Sequence, residues 1–133
     1  MSRPSDIGSL KVGQHLVIEG KPYRIVSYEK SKPGKHGSAK ARIVAINIFD
    51  GNKKSIVSPV SAKTEIPIID KRSAQVVSIS GESLQLMDLE TYEIFYSPMP
   101  DDLDVRKKVA QGVEVEYWSV LGRMKIMRVK GAN

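Results

Sequence analysis

An all-β fold is what this sequence predicts, and two observations carry the prediction. Apolar residues fall in short runs rich in Val, Ile and Tyr, and Gly, Pro, Asp and Asn separate those runs. β-Branched and aromatic side chains suit a pleated, half-buried surface, while the separators supply turn geometry.

In chain order the expected strands are His15 to Ile18, Pro22 to Glu29, Ala39 to Phe49, Lys54 to Ser58 and Thr64 to Ile68. A second set covers Ala74 to Ser80, Ser83 to Met87, Tyr92 to Ser97, Val113 to Val120 and Met124 to Val129. Asp50-Gly51-Asn52 reads as a tight hairpin turn, since Gly accepts positive φ and Asp or Asn bonds nearby backbone. Ser80-Gly81-Glu82 and Leu121-Gly122-Arg123 read as further hairpin connections. One stretch departs from the pattern: Asp101 to Gln111 suits two to three helical turns, capped by Asp102 and stopped by Gly112, with an irregular loop as the equal alternative. Its acids come early and Arg106, Lys107 and Lys108 come late, as the helix dipole favours.

Charge divides the chain. Residues 1–69 hold 12 Lys and Arg against 5 acids, whereas residues 70–133 hold 9 against 10. Pro67 interrupts a ladder close to that step. Two small β domains, residues 1–69 and 70–133, fit this asymmetry, each with about five strands that curl to hide their edges. A single continuous barrel or sandwich is the rival. With 133 residues, 41% of them hydrophobic and 27% charged, the chain can bury a core and is not of disordered composition.

The net charge of +6 favours an anionic partner such as nucleic acid, although basic surface charge also serves solubility. Cysteine is absent, which excludes disulfides, thiolate metal sites and a cysteine nucleophile. Met1 to Asp6 leads into no apolar run of the length of a signal peptide or membrane span, so a cytoplasmic location is the expectation.

The stretch richest in information runs from Lys30 to Arg42, with five Lys or Arg, one histidine and no acid. It lies between two clear strands. Gly34 and Gly37 free the backbone around Lys35 and His36, and Pro33 stiffens the approach. A phosphate-binding Walker loop is excluded, because Glu29 stands where its first Gly belongs and His36 where its Ser or Thr belongs. Gly34-Lys35-His36-Gly37 matches the GxxG of a KH loop, but strands rather than helices flank it. A basic hairpin gripping RNA phosphates explains the dense cations best, with a merely solvated turn as the bland alternative.

Those residues carry a resemblance. Ser31-Lys32-Pro33-Gly34-Lys35-His36-Gly37-Ser38-Ala39-Lys40 resembles the lysine loop of the translation initiation factor 5A family in its archaeal form, related to bacterial elongation factor P. Gly20-Lys21-Pro22-Tyr23, Asp50-Gly51, Gln85-Leu86-Met87-Asp88 and Asp101-Asp102-Leu103 extend it over essentially the whole chain. The resemblance implies an N-terminal SH3-like barrel followed by a C-terminal OB-fold barrel. It implies that deoxyhypusine synthase transfers an aminobutyl group from spermidine onto Lys35, giving deoxyhypusine or hypusine. It also implies a factor that binds the ribosome beside the peptidyl-tRNA and promotes peptide-bond formation on stalled complexes. Pro33 stands where many members have threonine, and Ser38 where eukaryotic members have histidine.

With that resemblance, Lys32, Gly34, Lys35, His36, Gly37, Lys40 and Arg42 form the expected RNA and ribosome contact set. Lys32, Lys40 and Arg42 would act as phosphate contacts. No catalytic residue, metal site or dissociable cofactor is expected, and the protein would be a monomeric non-enzyme. A general RNA-binding module and a structural ribosomal or adaptor protein are the alternative readings. His15, inside an apolar strand, reads as an ordinary sheet residue. Tyr92, Phe95 and Tyr96 read as core before stacking surface, and Trp118 as core before ligand.

Overall fold

The computed structural model describes residues 2–31 and 39–131. It divides into two compact units, Met1–Ile68 and Ile69–Asn133. Both are built of strands, and among the described residues one short α-helix interrupts them.

The first unit contains β1 (Ser2–Asp6), a 3-10 turn at Ile7–Ser9, β2 (His15–Ile18), β3 (Lys21–Ser31), β4 (Lys40–Asn47), β5 (Lys53–Pro59) and β6 (Lys63–Pro67). β2, β3, β4 and β5 form an antiparallel sheet in sequence order, and β1 pairs with β6. This is the SH3-like barrel. Along β4, Ala41, Ile43 and Ala45 point inward while Lys40 and Arg42 point out, the period of two that one buried face demands. Ile7, Leu10, Leu16, Tyr23 and Ile25 complete the core. Each aliphatic side chain as large as Leu16 or Ile43 contributes about 1.5–3 kcal/mol when fully buried.

The second unit contains β7 (Ile69–Ser80), β8 (Ser83–Asp88), β9 (Ile94–Pro98), α1 (Leu103–Lys108), β10 (Glu114–Val120) and β11 (Arg123–Gly131). Its sheet order is β11-β10-β7-β8-β9, with long β7 pairing with β10 through its first half and β8 through its second. Five strands with a helix between the third and fourth make the OB-fold barrel. Ala74, Val76, Leu84, Leu86, Val113, Val115, Tyr117 and Ile126 form its core.

Several local expectations need correction. Ser2–Asp6 carries no apolar alternation, yet it is a strand held by pairing with β6 and by the Lys63–Asp6 and Ser2–Glu65 contacts. Pro4 is tolerated there because a two-stranded ribbon leaves one side of each strand free of ladder bonds. Ile69 to Arg72, at the charge step, is strand, paired with Val120 to Tyr117. Asp102 does cap α1, accepting from the amides of Asp104 and Val105 at 2.9 and 3.2 Å. The helix ends at Lys108, however, because Val109 turns extended and bonds back to Arg106. Gly112, left-handed at φ 92, shapes the turn into β10 instead of stopping the helix.

Turns set the registers. Glu19-Gly20 and Leu121-Gly122 each place two consecutive residues at positive φ between paired strand ends, the mirror-image turn that matches strand twist. Asp50-Gly51-Asn52 belongs to a wider connection. The buried Asn47 carboxamide accepts from the amides of Phe49 and Asp50 at 2.8 and 3.2 Å, which ends β4 before Phe49.

Candidate functional site

The β3–β4 hairpin supports the site. Its register runs Tyr28 with Ile43, Glu29 with Arg42, Lys30 with Ala41 and Ser31 with Lys40. Residues 32–39 join the strands beyond that last pair. Tyr28 faces inward, packs against the core and donates its hydroxyl to the Ile7 carbonyl at 2.8 Å. Burial pushes the Tyr28 phenol above its usual range, so it stays a donor. Lys30 follows on the same side, its Nζ 5.9 Å from the Tyr28 ring centre. Tyr28, Lys30, Lys11 and Val12 line an open groove of about 510 Å³ with Gly8 to Leu10.

The opposite side of the hairpin carries Glu29, Ser31, Lys40 and Arg42, all exposed. Lys40 stands beside Pro59 of β5, and Arg42 beside Val57, which is itself 60% exposed. Of the expected contact residues, Lys40 and Arg42 therefore share one outward face. Lys32, Gly34, Lys35, His36 and Gly37 lie outside the described residues. The acid-free run from Lys30 to Arg42 acquires an acid in three dimensions, since Glu29 stands directly across from Arg42. Arg24 and Lys53 lie on the same outward face, flanking Ile46 in the register. The loop sequence by itself does not reveal them; the period of two along the strands is the signal that locates them.

His15 is a half-buried strand residue opposite Arg24. The aromatic residues of the second unit divide. Phe95 packs on Tyr117 with ring centres 5.1 Å apart, as core residues do. Tyr92 and Tyr96 are exposed, against the expectation from their spacing: Tyr92 occupies a turn at φ 62, and Tyr96 points away from the core on alternate parity to Phe95. Trp118 is half-buried on the outer face, with Lys71 4.6 Å over its ring.

The most perturbed ionisable groups form a structural cluster. Buried Asp88 accepts from Arg72 Nε and from the Tyr117 hydroxyl, each at 2.6 Å. Its Oδ1 accepts from the amides of Glu90 and Thr91 at 2.8 and 3.0 Å. These donors, Arg72 above all, hold the Asp88 carboxyl well below the usual carboxylate range. Such full satisfaction marks a structural pair rather than a reactive one. Among the described residues no group of three or more His, Cys, Asp or Glu is placed to hold a metal ion.

Comparison with known proteins agrees over both units. Residues 1–62 match the family model for "Translation initiation factor 5A-like, N-terminal", and residues 68–130 match "Eukaryotic elongation factor 5A hypusine, DNA-binding OB fold". The chain belongs to the translation initiation factor 5A family. Translation initiation factor 5A of Thermofilum pendens is 55% identical over 129 residues, spanning 97% of this chain and 98% of that protein. The Pyrococcus furiosus factor is 50% identical, with 94% and 92% covered. The solved eukaryotic translation initiation factor 5A from Methanococcus jannaschii superposes with a TM-score of 0.86 at 47% identity, covering 98% of both chains. A family protein from Naegleria fowleri gives 0.83 at 33% identity, with 98% and 99% covered. Membership makes the chain a translation factor and supports lysine modification as a family property.

Proposed function

We propose that the chain binds the ribosome near the peptidyl-tRNA and promotes peptide-bond formation and relief of stalling through a hypusine-type modification of Lys35. The observation that carries this reading is the family membership of a chain whose β3–β4 hairpin is closed by Lys32-Pro33-Gly34-Lys35-His36-Gly37-Ser38-Ala39. In this reading residues 1–69 are the domain that presents Lys35, and residues 70–133 are the OB-fold domain. Deoxyhypusine synthase is the modifying partner, and the spermidine-derived group is covalent rather than a dissociable cofactor. The protein acts as a monomer in the cytoplasm and is not itself an enzyme.

Physical chemistry supports the division of labour. An aminobutyl extension keeps the original cation and adds a second on a longer arm, able to reach nucleic-acid backbone in a narrow slot. Lys32, Lys40 and Arg42 dock the hairpin on phosphates, Gly34 and Gly37 give the backbone around Lys35 the freedom to enter the slot, and His36 either contacts RNA or orients Lys35. Rate enhancement then comes from holding reacting ends in productive orientation, with no side-chain acid or base required.

Intact-mass analysis of protein from its native cells, followed by peptide mapping, tests the modification: an aminobutyl or hydroxylated aminobutyl adduct on Lys35 is expected. Lys35 found unmodified in such protein would overturn the reading. Lys35→Arg, which keeps the charge but removes the acceptor amine, should abolish relief of stalling in reconstituted translation and leave the fold intact. Full activity of that variant would be equally damaging.

A further inference from the structure

The outward face of the β3–β4–β5 sheet carries more charge than the hairpin end alone. Arg24, Ile46 and Lys53 form one row across the three strands, and Glu29, Arg42 and Val57 form another nearer the hairpin end. Lys40 follows two residues beyond Arg42 on the same face. Ile46 and Lys40 are six positions apart on β4, roughly 20 Å at the rise of an antiparallel strand. Arg24 and Lys53, two strand spacings apart, are separated by roughly 10 Å between backbones.

This face is selectively stripped of acid. Residues 1–69 contain five Asp and Glu, and Glu29 alone stands on it. Asp6 is on β1 with Lys63, and Glu65 on β6 accepts from Ser2. Glu19, in the β2–β3 turn, pairs with Lys54 at 2.8 Å, and Asp50, in the β4–β5 connection, accepts from the Asn52 amide. Arg24, Lys40, Arg42 and Lys53 form no ion pair with another described residue. Lys40 and Arg42 along one strand, and Arg24 and Lys53 across the sheet, each stand within about one Debye length of each other and repel, so the arrangement favours a polyanion.

We infer that this sheet face is a docking track for RNA backbone, in which Arg24 and Lys53 are a second pair of phosphate contacts beside Lys40 and Arg42. The inference rests on the reading of Lys40 and Arg42 as phosphate contacts and extends it along the sheet. Side chains at alternate positions put Lys40 and Arg42 about 7 Å apart along β4, and the Arg24 and Lys53 row follows about 14 Å beyond Arg42, a spacing of cations without base-reading geometry. The track is therefore indifferent to sequence and strongly dependent on salt. Glu29 opposes it, weakening the grip beside Arg42.

Binding of the full chain to purified large ribosomal subunits, titrated between about 50 and 200 mM salt, tests this, with thermal melts as the check on folding. Arg24→Gln with Lys53→Gln should reduce the magnitude of the log–log salt slope by about 2, one for each cation removed. Lys40→Gln with Arg42→Gln should do the same, and Glu29→Gln should tighten binding. A normal slope for the Arg24 and Lys53 pair, beside a reduced slope for the Lys40 and Arg42 pair, overturns the track and leaves the underlying reading standing. Normal slopes for both pairs overturn both. Unchanged or weaker binding by Glu29→Gln counts against the track alone.

Discussion

Arg72 and Asp88 are joined side-on in the OB-fold unit, Nε to Oδ2 at 2.6 Å and Nη2 to Oδ1 at 3.1 Å. Asp88 is 2% exposed and ends β8 much as Asn47 ends β4, accepting from amides two and three residues ahead. The two positions differ in their surroundings. Arg72 and the Tyr117 hydroxyl both reach the Asp88 Oδ2, so a full negative charge is matched there.

Acid should unfold the second unit partly through Asp88. Its folded carboxyl is depressed by Arg72, Tyr117 and the turn amides, whereas the unfolded group titrates near the ordinary value of about 3.9. The stability it contributes is fully present above that value and is lost as pH falls toward the depressed one. Asp88→Asn should cost about 3 kcal/mol at neutral pH, because Arg72 loses its buried counter-charge. It should also flatten the stability profile between roughly pH 5 and 2. Urea midpoints followed by the single tryptophan, Trp118, would measure both.

Alkali acts through Tyr117. Burial and the Asp88 carboxylate push its phenol up to about 12, against about 10 in the unfolded chain. The folded state then holds a proton that the unfolded state gives up, so stability falls as pH rises from about 10 to 12. Tyr117→Phe should cost about 1.5–3 kcal/mol at neutral pH by removing the bond to a charged acceptor. The same change should remove this source of alkaline destabilisation. A wild-type melting temperature constant from about pH 9 to 12 would contradict the assigned environment.

How much of the fold is legible in the sequence depends on what kind of interaction decides each residue. Strands with apolar alternation, such as Lys40–Asn47 and Ser83–Asp88, announce themselves because burial on one face dictates a period of two. Ser2–Asp6 does not, since only its partner β6 makes it a strand. Gly112 reads as a helix stop, yet the stop is Val109, because α1 is too short to reach the glycine. The expected contact set around the hairpin rests on local density of charge. Arg24 and Lys53 join Lys40 and Arg42 only through strand register, a non-local property.

Gly8 should not tolerate a side chain. A Cβ there would meet the Val60 carbonyl oxygen at 3.1 Å and the Val60 Cβ at 3.2 Å, while the Gly8 amide donates to that same carbonyl at 2.9 Å. Relieving the contact stretches the hydrogen bond that ties the 3-10 turn to the end of β5. Gly8→Ala should therefore destabilise the first unit by about 1–3 kcal/mol, as overpacking typically does. Calorimetry on the full chain would detect a lowered transition for that unit, and an unchanged one would show that the Val60 backbone gives way freely.

Asn47 offers the sharpest local test of how the β4–β5 connection is held. It is 3% exposed, and its Oδ1 serves two amides that point away from any ladder, those of Phe49 and Asp50. Asn47→Ala removes the acceptor and leaves both donors to find water in a half-buried turn. The expected cost is about 1–3 kcal/mol, concentrated in the connection rather than spread over the barrel. Amide exchange should accelerate at Phe49 and Asp50 far more than at Ile43 or Ala45 in the middle of β4. Uniform acceleration along β4 would mean that Asn47 supports the whole sheet, and no acceleration would mean that the turn is held by its backbone bonds alone.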